Sequence, residues 1–319
     1  MKGAVVPLPA LEDRSGKPGK GVREMKNIVC LAGLALCAAT AMGQIDGVKE
    51  ANYGTALAVQ SVQTGFGNAG GGNAQTANGS ELDAAYCRTD GGNLNLMLTG
   101  NLESNFNKLE IFFDFRSGGQ NTLDGSIPGA GQLNGLTFDN GFNADLWISV
   151  TCGGGPFGVY VNAWEIGVGS PSDYLGSNNG GGALGGGNNW LNLGLGLNNS
   201  NGAGVAGGNA AANAAAALAV TTGVELSIPL AYFGGSVNGV KVSAMINGSN
   251  HDYLSNQILG GLAGGTGNLG GDGAGGFTGN LAGVNFNQFA GDQFFVLPSP
   301  GAAALLGLGG IVAMRRRRA

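Results

Sequence analysis

The chain has 319 residues, of which 65 are glycine and 33 are asparagine, so nearly a third of it consists of the two residues that best tolerate the backbone of tight turns. The glycines follow no three-residue period and there are only nine prolines, which excludes a collagen-like protein. Hydrophobic residues still make up 43% of the chain and lie in short runs, which argues against disorder of the whole chain. These properties predict a turn-rich, all-β protein with one sizeable domain or two small ones.

Basic residues are concentrated at the two ends of the chain, and the central part is strongly acidic. Between Gln44 and Met314 there are 17 acidic residues and only five basic ones, which gives this part a charge of about −12. Nucleic acid binding requires clustered lysine and arginine side chains. The composition therefore excludes nucleic acid as a partner of the central part.

Residues 25–43 have the layout of a secretory signal peptide. The segment MKNIVCLAGLALCAATAMGQ places a lysine after Met25, then an apolar stretch, then small residues before Gln44. We expect signal peptidase to cleave after Gly43. The preceding residues 1–24 are polar and lack an apolar period, and we interpret them as an upstream mis-start or a disordered extension.

Residues 44–297 are predicted to form one β-sandwich domain. Their dominant pattern is alternation of apolar side chains with other side chains, which is typical of β-strands. About nine such segments, separated by Gly/Asn turns, predict an antiparallel, jelly-roll-like sandwich in which each strand has one apolar face and one solvated face. The predicted strands are Ala56–Val62, Leu82–Cys87, Leu94–Leu98, Leu109–Phe115, Leu146–Val150, Val159–Val161, Val224–Ile228, Val240–Ile246 and Gln293–Leu297.

Three low-complexity stretches are too poor in large apolar residues to form a core, and we predict that they are long surface loops: Gly65–Gly79, Ser170–Gly208 and Gly260–Gly283. The alanine run Ala210–Ala217 predicts one or two helical turns, since alanine is the best helix former. The decapeptide GGTGNLGGDG, Gly264–Gly273, is similar to a calcium-binding nonapeptide, but it occurs once and has asparagine where that motif has aspartate. We therefore predict no metal site.

The sequence offers few residues for catalysis, and we predict no catalytic group and no cofactor. His251 is the single histidine, no G-x-S-x-G turn accompanies it, and histidine and cysteine do not cluster as zinc ligands do. The main alternative is a secreted glycan hydrolase that uses two carboxylates, Glu110 and Asp114, on the polar side of one predicted strand. A solvated face that keeps the sheet soluble explains the same two residues and is the favoured interpretation.

Trp147 and Trp190 are the candidate ligand-binding residues, because an aromatic ring packs well against the apolar face of a sugar. Trp147 is expected on the polar face of its strand, beside Asp145 and Ser149. A large aromatic side chain there indicates either a sheet–loop contact or a binding surface. Trp190 lies in a Gly/Asn-rich loop, and the alternative is that it anchors this loop.

Cys87 and Cys152 are the only cysteines downstream of the predicted signal peptide. In an exported protein an even number of cysteines favours a disulfide. A disulfide that closes the loop from Cys87 to Cys152 would stabilise the fold by about 4 kcal/mol, if the stabilisation comes from the lower entropy of the unfolded chain. Two separate buried thiols are the alternative interpretation.

The C-terminal segment VLPSPGAAALLGLGGIVAMRRRRA has three parts in order. The uncharged stretch 301–314 would span roughly 21 Å as a helix, less than the ~30 Å hydrocarbon core of a bilayer. We predict an isolated hydrophobic helix that occupies the membrane transiently, with the arginines on the cytoplasmic side. The flanking residues are the proline motif Pro298, Ser299 and Pro300 and the cluster Arg315, Arg316, Arg317 and Arg318.

This tripartite arrangement, in residues 298–319, resembles the PEP-CTERM sorting signal. The resemblance implies export into a Gram-negative-type envelope, processing near the proline motif by an exosortase-type enzyme, and delivery to the outer surface or the extracellular matrix. The chain has Pro-Ser-Pro where the family name has Pro-Glu-Pro, which leaves the exact cleavage position open.

Three segments of the body resemble carbohydrate-binding module family 9 and the DOMON-like sandwiches: IDGVKEANYG (Ile45–Gly54), KLEIFFDF (Lys108–Phe115) and GVELSIPLAYFG (Gly223–Gly234). In those modules the first segment begins the first strand, and the resemblance implies a β-sandwich and glycan binding. Our leading hypothesis is an exported, surface- or matrix-associated, non-enzymatic β-sandwich protein that interacts with extracellular polysaccharide. A structural coat or appendage subunit is a further alternative.

Overall fold

A computed structural model describes residues 44–66, 79–154, 158–203 and 208–298. In these ranges two antiparallel sheets, of five and seven strands, make up nearly all of the regular structure, beside one short α-helix and a few 3-10 turns. The prediction of an all-β sandwich is therefore confirmed. Within the same ranges, no helix has the length and apolar character of a membrane span. The predictions made for the signal peptide with Gly43, for Ser299 and Pro300, and for the C-terminal helix with Arg315–Arg318 lie outside the described residues.

The described part of the chain contains twelve strands and the helix α1. They are β1 (Ala58–Val59), β2 (Glu81–Asp90), β3 (Asn93–Asn101), β4 (Lys108–Asp114), β5 (Leu146–Gly153), β6 (Gly158–Glu165), β7 (Tyr174–Asn178), β8 (Gly194–Leu197), α1 (Ala214–Ala219), β9 (Gly223–Pro229), β10 (Lys241–Asn247), β11 (Leu254–Leu259) and β12 (Phe295–Val296). The five-stranded sheet has the order β1-β2-β3-β9-β8. The seven-stranded sheet has the order β11-β10-β4-β5-β6-β7, and β12 also pairs with β10.

The first hydrophobic core lies between the two sheets. Leu109, Ile111 and Phe113 of β4 belong to it, together with Leu94 and Leu96 of β3 in the other sheet. These are positions that the apolar alternation assigned to an inner face. Burying a large aliphatic or aromatic side chain contributes roughly 1.5–3 kcal/mol, so this interior supplies much of the driving force for folding.

The other face of the seven-stranded sheet is buried as well. Phe112 and Trp147 on this face pack in a second core with apolar side chains from residues 123–142 and 254–286. Leu281, from a stretch predicted to be a surface loop, is one of them. The prediction of a solvated outer face is therefore wrong for this sheet, because two long loops fold over it and place their few large side chains against it.

The N-terminal segment of the described chain covers part of the outer face of the five-stranded sheet. Tyr53 packs there with Met97 in a small third cluster. Glu225 of β9 accepts hydrogen bonds from the backbone N–H groups of Asp46 and Gly47 and from the Tyr53 hydroxyl. The IDG segment thus meets the GVELSIPL strand as an irregular segment and does not itself form a strand.

Three observed strands, β7, β8 and β11, were not predicted. The first two lie within the glycine- and asparagine-rich stretch 170–208, where the alternation is too short to stand out. Leu175 of β7 and Leu195 of β8 nevertheless reach the first core, so this stretch is only partly loop. The predicted helical turns in the alanine run are present as α1.

Candidate functional site

A polar cavity of about 300 Å³ opens where the edges of the two sheets meet. Gln257 of β11 joins the edges, because its Oε1 accepts a hydrogen bond from the Leu82 N–H (3.1 Å) and its Nε2 donates to the Val62 carbonyl (3.2 Å). The start of β2, the segment 60–64 and the helix α1 form the remaining walls. The polar lining residues include Gln60, Gln63, Glu81, Asp83, Asn201 and Gln257.

The helix α1 provides a wall that leaves this cavity open. Asn213 caps the helix, since its side-chain oxygen accepts hydrogen bonds from the N–H groups of Ala215 (3.1 Å) and Ala216 (3.3 Å). The residues that α1 presents to the cavity, Ala216 and Ala217, have the smallest side chains that still favour a helix. The alanine run therefore shapes the site without filling it.

A β-bulge places Asp83 at the cavity. The pairing of β2 with β3 shifts register between Leu82 and Ala84, so Asp83 has no residue opposite it. Thr99 of β3 stabilises the bulge, because its Oγ1 accepts a hydrogen bond from the Ala84 N–H (3.0 Å). Bulges interrupt the ladder and change the direction of a side chain, and they are frequent beside functional sites.

Glycine is required on the strand opposite this bulge. Gly100 of β3 has a φ of +137°, and a Cβ atom there would lie 2.1 Å from the carbonyl oxygen of Glu81. Any other residue would push β3 away from the start of β2. The close approach of the two strands at this point is therefore built into the sequence.

Glu81 and Asp83 form a largely buried carboxyl pair. Asn201 Nδ2 donates a hydrogen bond to Glu81 Oε1 at 3.2 Å. Burial raises the pKa of Glu81 to about 9, with a further contribution from the charge of Asp83, and burial raises the pKa of Asp83 to about 6. At neutral pH the pair therefore retains one proton.

Buried polar atoms of this pair and of the neighbouring strand have no hydrogen-bond partner among the residues that the structure describes. Asp83 is only 9% exposed, and its Oδ2 is one of these atoms. Asn101, directly opposite Glu81 on β3, is 3% exposed, and its Oδ1 and Nδ2 are the others. Leaving a buried polar atom unsatisfied costs about 1–3 kcal/mol. Asp83 lines the cavity and Asn101 lies opposite Glu81, which also lines it, and we therefore take the start of β2 as the candidate functional site.

A second polar cluster lies in the second core. Glu110 of β4 is fully buried, its Oε1 lies 2.5 Å from Nδ1 of His251, and its Oε2 accepts a hydrogen bond from Trp147 Nε1 (2.8 Å). His251 sits in the turn between β10 and β11 with a φ of +62°. Both carboxylate oxygens of Glu110 thus have partners, and the cluster fastens this turn to the sheet.

The pKa of Glu110 reflects these contacts. Burial alone would raise it, but the charge and hydrogen bond of His251 and the hydrogen bond from Trp147 hold it below its ordinary value. An ionised carboxylate with partners on both oxygens explains why a charge is tolerated at this depth. We assign this cluster a structural role.

The structure does not place Trp147 at the surface, where sequence analysis expected a ligand-binding residue. Trp147 is 1% exposed, because the loops of the second core cover it, and its indole N–H is used by Glu110. The predicted carboxylate pair is also divided between two environments. Glu110 contacts His251, whereas Asp114 Oδ2 lies 3.2 Å from the Nζ atom of Lys241.

Trp190 is half-buried and holds its loop. Its Nε1 donates a hydrogen bond to the Ser172 carbonyl at 2.9 Å, and its ring lies 6.1 Å from the ring of Tyr232. It also packs against the first core. These contacts correspond to the anchoring alternative rather than to a free stacking surface.

The candidate disulfide is not formed in this structure. Cys87 of β2 and Cys152 of β5 are free thiols on opposite sheets, and both border the first core. Burial raises the pKa of Cys87 to about 11 and that of Cys152 to about 12. Both thiols therefore stay protonated in the folded protein.

In comparisons with known proteins, no family model matches the chain, and no curated protein or solved structure matches it either. Among the residues that the structure describes, no three His, Cys, Asp or Glu side chains gather in the manner of a metal cluster.

Sequence analysis did not single out this cavity, although one signal was present. Glu81 and Asp83 lie two residues apart at the start of a predicted strand, so an unbroken strand would place them on one face. The bulge and the contacts with Asn201 and Gln257, which lie far along the chain, have no local signature.

Proposed function

We propose that this protein is exported and displayed on the surface or in the extracellular matrix of a Gram-negative-type bacterium, where its sandwich domain binds polysaccharide without catalysing a reaction. Support for export comes from the signal-peptide layout of residues 25–43 and from the PEP-CTERM-like sequence in residues 298–319. Processing would then require signal peptidase and an exosortase-type enzyme, with transient membrane contact through residues 301–314.

The observation that carries the binding part of this proposal is the amide-lined cavity where the sheet edges meet. Sugar hydroxyl groups both donate and accept hydrogen bonds, and the amides of Gln63 and Asn201 offer both kinds of partner. A volume of about 300 Å³ is at the lower end of small-molecule sites. This size suits a single sugar residue at a chain end or branch.

Binding to polysaccharide extracted from the matrix of the producing organism tests this proposal. The purified full chain is expected to be retained on the immobilised polysaccharide. Gln63→Ala and Asn201→Ala each remove a hydrogen-bonding amide from the cavity, and the loss of about 1.4 kcal/mol per contact corresponds to roughly tenfold weaker binding.

Gln132→Ala is the matched control, because Gln132 is an exposed glutamine on a different part of the surface. It is expected to bind as the wild type does. Equal retention of all three variants would place the binding surface elsewhere. No retention of the wild type would remove polysaccharide binding and leave the structural coat or appendage role.

A further inference from the structure

We propose that Glu81 and Asp83, with the neighbouring side-chain amide oxygens, form a binding site for one divalent cation, and that calcium is the cation that fits best. The site shares the cavity described above, but the proposal does not depend on polysaccharide binding. It concerns the metal alone and is tested with the metal alone.

The first argument is the position of the two carboxyl groups. Glu81 and Asp83 lie two positions apart on β2, and the bulge leaves Asp83 without a residue opposite it. Asp83 lines the cavity and is more than nine-tenths buried, and its Oδ2 atom has no hydrogen-bond partner in the described part of the chain. Buried carboxylates in proteins are paired or coordinate metal ions.

The second argument is that no basic side chain in the described part of the chain neutralises this pair. Only five lysine and arginine residues occur between Gln44 and Pro298, all of them described, and none lines the cavity. Each has another environment: Arg88, Arg116 and Lys241 pair with other carboxylates, Lys108 is near Glu110, and Lys49 lies over the Tyr86 ring. The pair must therefore keep a proton or bind a cation from solution.

The third argument is the nature of the nearby donor atoms. Asn101 stands directly opposite Glu81, and its Oδ1 has no partner in the described chain. Asn201 contacts Glu81 and lines the cavity. Carboxylate and amide oxygens in a flexible arrangement are the ligands of calcium, whereas zinc prefers histidine and cysteine, and the cavity lining contains neither.

Calorimetric titration of calcium into the metal-free full chain at about pH 8 tests the site. We expect one calcium ion per chain, weaker binding of magnesium, and a higher melting temperature in calcium. Asp83→Asn and Glu81→Gln are expected to weaken calcium binding roughly tenfold or more. Asp292→Asn removes an exposed carboxylate elsewhere and is expected to leave the affinity within about twofold of wild type.

Two results would each overturn the proposal. The first is that the wild type neither binds calcium nor is stabilised by it. The second is that Asp83→Asn binds calcium with the same affinity as the wild type. If Asp83→Asn does not fold, Glu81→Gln and the thermal stabilisation of the wild type by calcium decide. Because no sugar is present, failure of polysaccharide binding leaves the outcome unaffected.

Discussion

Glu110 shows at the scale of single residues how this fold accommodates a buried charge. An isolated carboxylate in the second core would cost several kcal/mol. His251 and Trp147 each contact one of its oxygens, and the charge is therefore retained. His251 keeps a positive φ, which costs about 1–3 kcal/mol in a residue other than glycine, and its contact with Glu110 helps to hold it there.

We expect His251→Ala to lower the free energy of unfolding by about 3–5 kcal/mol, because it leaves the charge of Glu110 buried with one partner fewer. Chemical denaturation of the full chain at neutral pH measures this loss. Lys241→Ala is the control, since it also removes the basic partner of a carboxylate, Asp114. That pair is partly exposed, and its loss should cost about 1 kcal/mol or less. Equal losses in the two variants would contradict the assigned role of His251.

Acid should weaken the same cluster. The pKa of Glu110 lies below its ordinary value of 4.5 in the folded protein. Its contribution to stability is therefore present above 4.5 and is lost as the pH falls through the lower folded-state pKa. Denaturation midpoints measured between about pH 5 and pH 3 should fall more steeply for the wild type than for His251→Ala. Parallel curves would show that Glu110 does not depend on His251.

Thiol labelling tests whether the two cysteines are free in the folded protein. Cys87 and Cys152 are free and have raised pKa values, so a thiol reagent should label the native protein slowly. After denaturation without reductant, mass spectrometry should find two labelled thiols per chain. No labelling until a reductant is added would mean that the disulfide forms in the exported protein.

The apolar alternation predicted the positions of the strands, but it did not predict the loops that cover the outer face of the seven-stranded sheet. Every predicted strand overlaps an observed one, because inner positions such as Ile111 are apolar whatever lies outside the sheet. The outer cover of Phe112 comes from loops whose few large side chains are spaced among glycines and have no period. The cavity is equally non-local, since Asn201 reaches Glu81 across 120 residues of chain.

The glycine-rich loop of the second core is expected to contribute to the stability of the fold. Leu281 is fully buried there, so Leu281→Ala should lower the free energy of unfolding by about 2–5 kcal/mol. Phe277→Ala is the matched control in the same loop, because Phe277 is 69% exposed, and it should change stability by about 0.5 kcal/mol or less. Denaturant unfolding of both variants measures the difference. If both substitutions were equally mild, the loop would not be part of a core.

The charge of the whole protein and the layout of its sequence both agree with a location outside the cell. The body between the two predicted export signals carries 17 acidic and five basic residues, which keeps it soluble and disfavours direct contact with acidic polymers. We therefore expect neutral polysaccharides to be better ligands than acidic ones. Both faces of the larger sheet are covered in this body, and the cavity where the sheet edges meet is the site that we propose for a ligand.

We expect this sandwich to function outside the cell. Intact-mass measurement of the native protein, recovered separately from cytosol, envelope and matrix fractions, tests this expectation. We predict that the protein is found in the envelope or matrix fraction, with a chain that begins at Gln44 and ends near Pro298–Pro300. An uncleaved chain of 319 residues that accumulates in the cytosol would contradict this expectation.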